Sequence, residues 1–165
     1  MEQSTRSSVP LGIDAMYLEF ADMVYRLALL RTRSRQDAED VLQEVFFRCL
    51  RRSPAFESFE HQRAWLLTAT ANCSKNLLAS AFRRHTVGDA ALLNLSKEDA
   101  SGAELYELIA ALPEKQKTAF HLHYAEGYSV AEIANLMHSK ESTVKSWLFR
   151  ARQTLQKSWK ENEQL

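Results

Sequence analysis

Residues 129–152, SVAEIANLMHSKESTVKSWLFRAR, decide the fold of the C-terminal part of the chain, because they have the pattern of two helices joined by a tight turn. Ser129 and Glu132 are spaced as a capping box, in which each side chain satisfies a backbone N–H group of the other residue. A short polar break follows at residues 138–140, where Ser139 is expected to cap the second helix.

The second of these helices has an apolar side and a polar side. At about 100° per residue, its apolar side chains fall within one narrow stripe: Val144, Leu148, Ala151 and Leu155. Hydroxyl, basic and aromatic side chains point the other way: Ser142, Lys145, Ser146, Phe149 and Arg150. This arrangement, in which a short helix and a tight turn precede a longer helix with such an outer face, is the one that reads the major groove of DNA. An ordinary helical hairpin with a solvated basic face is the alternative.

Charge is sorted along the chain, although the 21 basic and 21 acidic side chains sum to zero. Residues 86–112 carry one basic and five acidic side chains, whereas residues 139–160 carry six basic and one acidic. The basic excess therefore lies on the proposed reading helix, which is the electrostatic pattern that attracts phosphate.

Composition excludes several other classes of protein. A chain of 165 residues can bury one core or two small ones, and no apolar run reaches the roughly 18 residues of a membrane span. The first residues, MEQSTRSSVPLGID, are polar and lack the apolar core of a secretion signal, so we expect a cytoplasmic protein. Cys49 and Cys73 lie in helical patterns without metal-ligand spacing, which favours buried free thiols in a reducing cytosol. No cofactor or metal site is expected.

The whole chain has helical character. Only four glycines and three prolines interrupt it, and no segment alternates with period 2 long enough to form a strand, so an all-α fold is expected. The helical patterns cover roughly residues 14–31, 35–52, 61–83, 103–112, 114–126, 129–137 and 140–160. Two small helical bundles joined by a flexible linker are predicted: an N-terminal tail at 1–13, a bundle at 14–85, the linker at 86–102, and a bundle with the helix-turn-helix at 103–165.

The pattern at 35–52 combines a core stripe with an acidic outer face. Apolar residues recur at helical spacing: Ala38, Val41, Leu42, Val45 and Cys49. The opposite face carries acidic, amide and aromatic side chains: Asp40, Gln43, Glu44 and Phe47. Acids around an exposed aromatic ring favour a protein-binding surface. The alternative is a solvated helix in which Glu44 pairs with Arg48 and Phe47 packs on the first helix.

The loop at 54–62 and the start of the following helix carry aromatic, amide and basic side chains: Phe56, Phe59, His61, Gln62, Arg63 and Trp65. Unstacked bases need aromatic faces or apolar pockets, together with polar groups for their edges. This segment therefore has the composition of a single-stranded nucleic-acid site. The alternative is that Trp65 belongs to the core and the polar residues are ordinary surface.

These motifs together resemble the extracytoplasmic-function group of bacterial RNA polymerase sigma factors. DAEDVLQEVFFRC at 37–49 is similar to the region 2 helix of that family, and HQRAWLLTATAN at 61–72 to the segment that follows it. LPEKQKTAFHLHYAEGYSVAEIANLMHSKESTVKSWLFRARQTL at 112–155 is similar to region 4 nearly throughout. The resemblance covers roughly residues 15–85 and 103–158.

The resemblance implies three binding surfaces. Core polymerase would be bound by residues of the region 2 helix: Asp37, Asp40, Gln43, Glu44 and Phe47. The opened minus-10 element would be captured by the following loop and helix: Phe59, Glu60, His61, Gln62, Arg63 and Asn72. The duplex minus-35 element would be read by the last helix: Ser142, Thr143, Lys145, Ser146, Phe149 and Arg150. Helical projection places Asn72 close to the core stripe, which speaks against its role.

The resemblance also implies partners. These are core RNA polymerase, through its β′ clamp helices and β flap, promoter DNA, and a membrane-linked anti-sigma factor. No small-molecule substrate and no enzymatic activity are implied. The chain departs from the family pattern at residues 73–76, where Cys-Ser-Lys-Asn replaces an arginine- and aspartate-containing run, and at Trp147, where many relatives carry arginine.

Two other functions compete with this interpretation. A stand-alone helix-turn-helix regulator would need a dimerisation face, and it leaves the acidic face of residues 35–52 unexplained. An enzyme could use His121, His123 and Glu126 as a metal site. However, residues two apart on a helix point about 200° apart, so the two imidazoles cannot hold one ion.

Overall fold

The computed structural model describes residues 9–84 and 100–164, and in these residues its regular secondary structure is entirely α-helical, without a strand. The described residues form seven helices: α1 (Ile13–Thr32), α2 (Arg35–Arg52), α3 (Phe59–Arg84), α4 (Ala100–Ala110), α5 (Glu114–Tyr124), α6 (Val130–Leu136) and α7 (Glu141–Glu163). The predicted all-α fold is confirmed. Most of the predicted linker lies outside the described residues, although its last three residues already belong to α4.

The described residues form two compact units. The N-terminal unit contains α1 to α3, and the C-terminal unit contains α4 to α7. None of the described helices combines the length and the apolarity needed to cross a membrane.

The core of the N-terminal unit lies between α1, α2 and α3. Its fully buried side chains come from all three helices: Met16, Val24 and Leu27, Val41 and Val45, and Leu66 and Leu67. Burial of side chains of this size stabilises a fold by about 1.5–3 kcal/mol each. The predicted core stripe of α2 is confirmed for Ala38, Val41, Val45 and Cys49, whereas Leu42 is half-buried.

A buried amide ties the segment before α1 to α3. The side chain of Gln62 is 1% exposed, and its Oε1 accepts a 2.8 Å hydrogen bond from the backbone N–H of Leu11. Its Nε2 donates a 2.7 Å hydrogen bond to the carbonyl oxygen of the same residue. Both polar groups of one non-helical residue are thus satisfied by one side chain, which fixes the entry of the chain into α1.

The C-terminal unit is built around α7, which packs against α5 and α6. The residues that these three helices bury together are apolar and small to medium in size: Ala119, Leu122, Ile133, Val144, Leu148 and Ala151. Lys117 is buried beside them, and its Nζ donates to the carbonyl oxygen of Ala110 at 3.1 Å. This bond connects the end of α4 to α5.

We predict that Gln62→Leu lowers the free energy of unfolding of the N-terminal unit by about 1–3 kcal/mol, because it leaves two half-buried backbone groups of Leu11 without their partners. Urea titrations of the wild type and the variant, followed by circular dichroism, measure this loss. The matched control is Gln36→Leu, an exposed glutamine on α2. Equal effects of the two changes would contradict the role given to the amide.

Candidate nucleic-acid and protein interfaces

The helix-turn-helix begins with the predicted capping box. The Oγ of Ser129 accepts from the backbone N–H of Glu132 at 3.1 Å, and the Glu132 carboxylate accepts from the backbone N–H of Ser129 at 3.2 Å. Both bonds of the box are therefore present, and this prediction is confirmed. Because α6 has only seven residues, satisfying its first N–H groups matters for its stability.

The turn between α6 and α7 differs from the prediction in one detail. The N-cap of α7 is Lys140, which makes no side-chain cap bond, so the expected capping by Ser139 is wrong. Ser139 lies within the turn itself: its hydroxyl donates to the carbonyl oxygen of Met137, and its N–H donates to that of Ala134. His138 adopts φ +50°, a left-handed conformation that reverses the chain direction at this point.

The outer face of α7 is as predicted. The predicted reading residues other than Thr143 are exposed: Ser142, Lys145, Ser146, Phe149 and Arg150. Thr143 is half-buried, and 54% of Phe149 is exposed although it is a large apolar residue. Since Val144, Leu148 and Ala151 are buried on the opposite side, the rotation of α7 is fixed by its packing. The packing of these apolar residues therefore keeps the outer face of α7 exposed to solvent.

One flank of α7 is attached to α5 by a polar contact. Nη1 of Arg152 donates to the hydroxyl of Tyr124 at 3.1 Å. The Tyr124 ring in turn stacks on Phe120, with ring centroids 4.6 Å apart. Arg152 therefore points toward Tyr124 on α5, unlike Arg150.

The acidic face of α2 contains one neutralised and one exposed carboxylate. Glu44 Oε1 accepts from Arg48 Nε at 2.8 Å and from Arg51 Nη2 at 3.2 Å. The hydrogen bond from Arg48 holds the pKa of the Glu44 carboxyl below its ordinary value. The ion pair anticipated as the alternative for Glu44 is thus present. Asp40, by contrast, is exposed.

Phe47 does not pack on the first helix, which was the alternative considered for it. It is 59% exposed, and the aromatic contact between α1 and α2 is made instead by its neighbour Phe46, whose ring meets that of Tyr17 edge-on at 4.9 Å. Gln43 is exposed on the same side of α2, and Asp37 is half-buried. The outer face of α2 therefore presents an exposed aromatic ring, with the exposed Asp40 two helical turns before it.

Two of the predicted minus-10 residues lie in the interior, and the expectation that they face DNA is wrong for this fold. Phe59 is 6% exposed and packs against Phe20, with ring centroids 4.9 Å apart. Gln62 is occupied by the two hydrogen bonds to Leu11. Both residues lie on the side of α3 that faces α1. The ring of Phe59 and the amide of Gln62 therefore stabilise the N-terminal unit.

The other minus-10 candidates are accessible. Glu60 and His61 are exposed, and Arg63 is half-buried with its Nη1 4.0 Å from the Glu60 carboxylate. Asn72 is exposed, so its projected position near the core was wrong. Phe56 organises the loop before α3, because its ring meets both His61 and Trp65 edge-on, at 5.5 and 5.8 Å.

A polar stripe along α3 was not recognised from the sequence as one surface. Residues at helical spacing after His61 lie on one side of α3 and are exposed or half-buried: Trp65, Thr68, Asn72 and Lys75. Counting in turns of 3.6 residues from His61 would have found them. They place an indole, a hydroxyl, an amide and an ammonium group along about three turns of helix.

The histidines of α5 each contact a different part of the loop that follows. His121 Nε2 lies 3.2 Å from the Glu126 carboxylate, and His123 Nδ1 lies 2.8 Å from the carbonyl oxygen of Tyr128. Within the described residues, no three histidine, cysteine or acidic side chains come together as a metal site could require. These histidines hold the start of the helix-turn-helix in place.

The described residues thus form an all-α chain with a helix-turn-helix in one unit and, in the other, an outer face on α2 that exposes Asp40 and Phe47. Comparison with known families agrees with the division into units. The model of Sigma-70 region 2 matches residues 16–84, and that of Sigma-70 region 4 matches residues 102–155.

Individual sigma factors are also similar to this chain in sequence or in structure. The extracytoplasmic-function (ECF) RNA polymerase sigma factor BldN of Streptomyces coelicolor is 33% identical over 152 residues, which span 85% of this chain and 57% of that protein. The ECF RNA polymerase sigma-E factor of Haemophilus influenzae is 31% identical over 146 residues, which span 78% of this chain and 77% of the relative. The sigma factor RpoE of Bartonella quintana, solved with the anti-sigma factor NepR, shares the fold with a TM-score of 0.76 at 21% identity, over 89% of this chain and 96% of that one.

The chain therefore belongs to the ECF RNA polymerase sigma factors, a family of promoter recognition and transcription initiation whose members are not enzymes. The match to region 2 argues against a stand-alone helix-turn-helix regulator, because it accounts for the N-terminal unit, while the match to region 4 accounts for the helix-turn-helix.

We predict that the stabilising effect of Glu44 depends on pH. The folded pKa of Glu44 is lowered, so its contribution is present above the ordinary value of 4.5 and is lost as the pH falls through the folded pKa. Because 43% of the Glu44 side chain is exposed, the contribution stays below about 1 kcal/mol. Thermal melts of Glu44→Gln should therefore fall below the wild type near pH 7 and coincide with it near pH 2. The control is Glu39→Gln, an exposed acid on the same helix; an effect of Glu44→Gln that is equal at both pH values would contradict the ion pair.

Proposed function

We propose that this chain binds core RNA polymerase through the outer face of α2, captures the opened minus-10 element along α3, and reads the duplex minus-35 element with α7. The single observation that carries the proposal is the outer face of α7, where hydroxyl, basic and aromatic side chains are exposed opposite a fully buried apolar stripe. The proposed place of action is the cytoplasm, where polymerase and promoter DNA meet.

The minus-35 reader is proposed to be the N-terminal half of α7. In helix-turn-helix proteins the start of the second helix enters the major groove. Arg150 can donate two hydrogen bonds to a guanine edge, and the exposed ring of Phe149 can contact a thymine methyl group. Lys145 and the hydroxyl groups of Ser142 and Ser146 suit phosphates and base edges on either side.

The minus-10 site is proposed to be the accessible part of the predicted set, together with the polar stripe of α3. Glu60, His61, Arg63 and Asn72 remain candidates, while Phe59 and Gln62 are removed because they are buried. A single strand needs aromatic surfaces for its bases and cations for its backbone. The half-exposed ring of Trp65 and the exposed ammonium group of Lys75 supply these along the same side of the helix.

The polymerase-binding face is proposed to be Asp40, Gln43 and Phe47, with Asp37 and Glu44 at its margins. An exposed aromatic ring and an exposed carboxylate two helical turns apart on one helix suit a partner with an apolar groove and a basic side chain. By family resemblance this partner is the pair of β′ clamp helices. Glu44 contributes less charge than expected, because Arg48 and Arg51 already neutralise it.

Two further partners are proposed by family resemblance. The β flap of the polymerase would bind the C-terminal unit, and a membrane-linked anti-sigma factor would hold the protein inactive. In support of an anti-sigma partner, the Bartonella quintana sigma factor RpoE, which shares this fold, was solved in complex with the anti-sigma factor NepR.

We predict that Asp40→Lys abolishes binding of core polymerase without unfolding the N-terminal unit. Because the residue is exposed, the free energy of unfolding should change by less than about 0.5 kcal/mol. At an interface with a basic partner, the same change brings like charges together and costs several kcal/mol. Pull-down of core polymerase and thermal melts measure the two effects.

Glu39→Lys, the same reversal at an exposed neighbour, is the matched control for Asp40→Lys. Glu44→Lys is unsuitable as a probe, because it would place a third cation beside Arg48 and Arg51 and so disturb the fold. A variant with Asp40→Lys that melts normally and still binds polymerase would show that this face is solvated.

We predict that Arg150→Ala weakens recognition of the minus-35 element by about 1–3 kcal/mol, as loss of a base-edge contact does. Transcription from a cognate promoter should fall, while binding to core polymerase stays unchanged because Arg150 belongs to the face of α7 that is proposed to meet DNA. Arg152→Ala is the control on the same helix, since Arg152 is directed to Tyr124. Unchanged promoter activity of Arg150→Ala would remove Arg150 from the reading face.

A further inference from the structure

A lysine of α5 lies over an indole ring of α7. Nζ of Lys115 is 5.8 Å from the centroid of the Trp147 ring, within the range in which an ammonium group is attracted to the face of an aromatic ring. Lys115 is exposed at the beginning of α5, and Trp147 is half-buried. The two residues are far apart in sequence, so this contact arises only from the packing of α5 on α7.

Trp147 lies at the border of the outer face of α7. On a helix, residues three and four positions apart are neighbours, so Trp147 adjoins Thr143 on one side and Arg150 on the other. Arg150 is part of the proposed minus-35 reader, and Thr143 is in the set of residues that the family resemblance assigns to it. The contact with Trp147 therefore brings the charge of Lys115 next to that reader, although Lys115 belongs to another helix.

The charge of Lys115 is available to a ligand. Among the described residues, the side chain of Lys115 makes no hydrogen bond and no ion pair, and its contact is with the Trp147 ring. An ammonium group acts as a compact, strongly hydrated point charge and does not have the planar fork with which arginine recognises a guanine edge. Its chemistry at this place fits a phosphate group better than a base.

We propose that Lys115, positioned by Trp147, binds a phosphate of the DNA backbone next to the element that α7 reads. The inference rests on the proposed function, because it takes the outer face of α7 to be the minus-35 reader. Contacts to phosphate carry no sequence information, but they fix the register of a protein on the duplex and add affinity that depends on salt. Trp147 is the positioning residue: its ring restricts the lysine side chain, which lowers the entropy lost on binding.

The test measures the salt dependence of DNA binding by the holoenzyme, assembled from core polymerase and the full chain. The probe is a duplex that the wild-type holoenzyme recovers from a library with randomised positions. The affinity for this duplex is measured over a series of salt concentrations. Loss of one phosphate contact lowers the slope of log affinity against log salt by about 0.9 for duplex DNA.

We expect Lys115→Gln to lower this slope by about 0.9, the value for one phosphate contact, while leaving the preferred sequence unchanged. Lys115→Arg should keep the slope, because it keeps the charge. Trp147→Leu, which keeps an apolar side chain at the half-buried position, should lower the slope although it removes no charge. Lys160→Gln removes the same charge from an exposed position in the same unit, and it should leave the slope unchanged because it lies about 15 residues, or roughly 22 Å of helix, beyond Lys145.

The possible outcomes distinguish failure of the proposed DNA reading by α7 from failure of the proposed role of Lys115. If no sequence is recovered from the library, the proposed reading by α7 fails, and the inference fails with it. If a sequence is recovered and Arg150→Ala weakens its binding, but Lys115→Gln leaves the slope unchanged, only the role of Lys115 is overturned. A lower affinity of Trp147→Leu with an unchanged slope would assign Trp147 a structural role alone.

Discussion

The burial of one apolar stripe of α7 against α5 and α6 determines how this protein can meet DNA. Val144, Leu148 and Ala151 have almost no accessible surface, so α7 cannot rotate about its axis without exposing them. Exposing three such side chains would cost several kcal/mol, because each contributes on the order of 1–3 kcal/mol when buried. The direction of Arg150, Phe149 and the other outer residues is thus set by apolar packing on the other side of the same helix.

The same principle acts in the N-terminal unit, but there the outer surfaces are modified by local ion pairs and hydrogen bonds. On α2 the packing of Val41 and Val45 turns Asp40 and Phe47 outward. Glu44 lies on the same side, yet Arg48 and Arg51 take up its charge. A sequence stripe that contains two acids therefore presents one carboxylate to a partner. Charge counts along a helix overestimate the charge of a surface wherever a residue of opposite sign follows four positions later.

Sequence patterns were sufficient to predict those features that depend on residues close to one another along the chain. The capping box at Ser129 and Glu132 involves residues three apart, and the stripe of α7 repeats every three or four residues, so both could be identified before the fold was known. Gln62 could not be assigned in this way, because its partner Leu11 is 51 residues distant. The contact of Lys115 with Trp147 likewise has no signal in the sequence, since it requires two helices to pack together.

Residues at the ends of helices were the hardest to assign. Ser139 has the chemistry of an N-cap, yet the turn uses its hydroxyl and the helix begins two residues later. Phe59 stands at the first residue of α3 and looks like part of an exposed loop, but the first turn of that helix already faces α1. At such positions a shift of one residue changes the direction of the side chain by about 100°, and tertiary packing decides between the alternatives.

The bond between Gln62 and the backbone of Leu11 has a consequence for how opening of the N-terminal unit can be observed. Leu11 precedes α1 and belongs to no helix, and backbone N–H groups in such segments ordinarily exchange with solvent hydrogen within a short time. Here the acceptor is an amide oxygen on α3 that solvent does not reach. Exchange at Leu11 therefore requires that the segment before α1 separate from α3. A single backbone amide outside the helices thus reports whether this segment is still bound to α3.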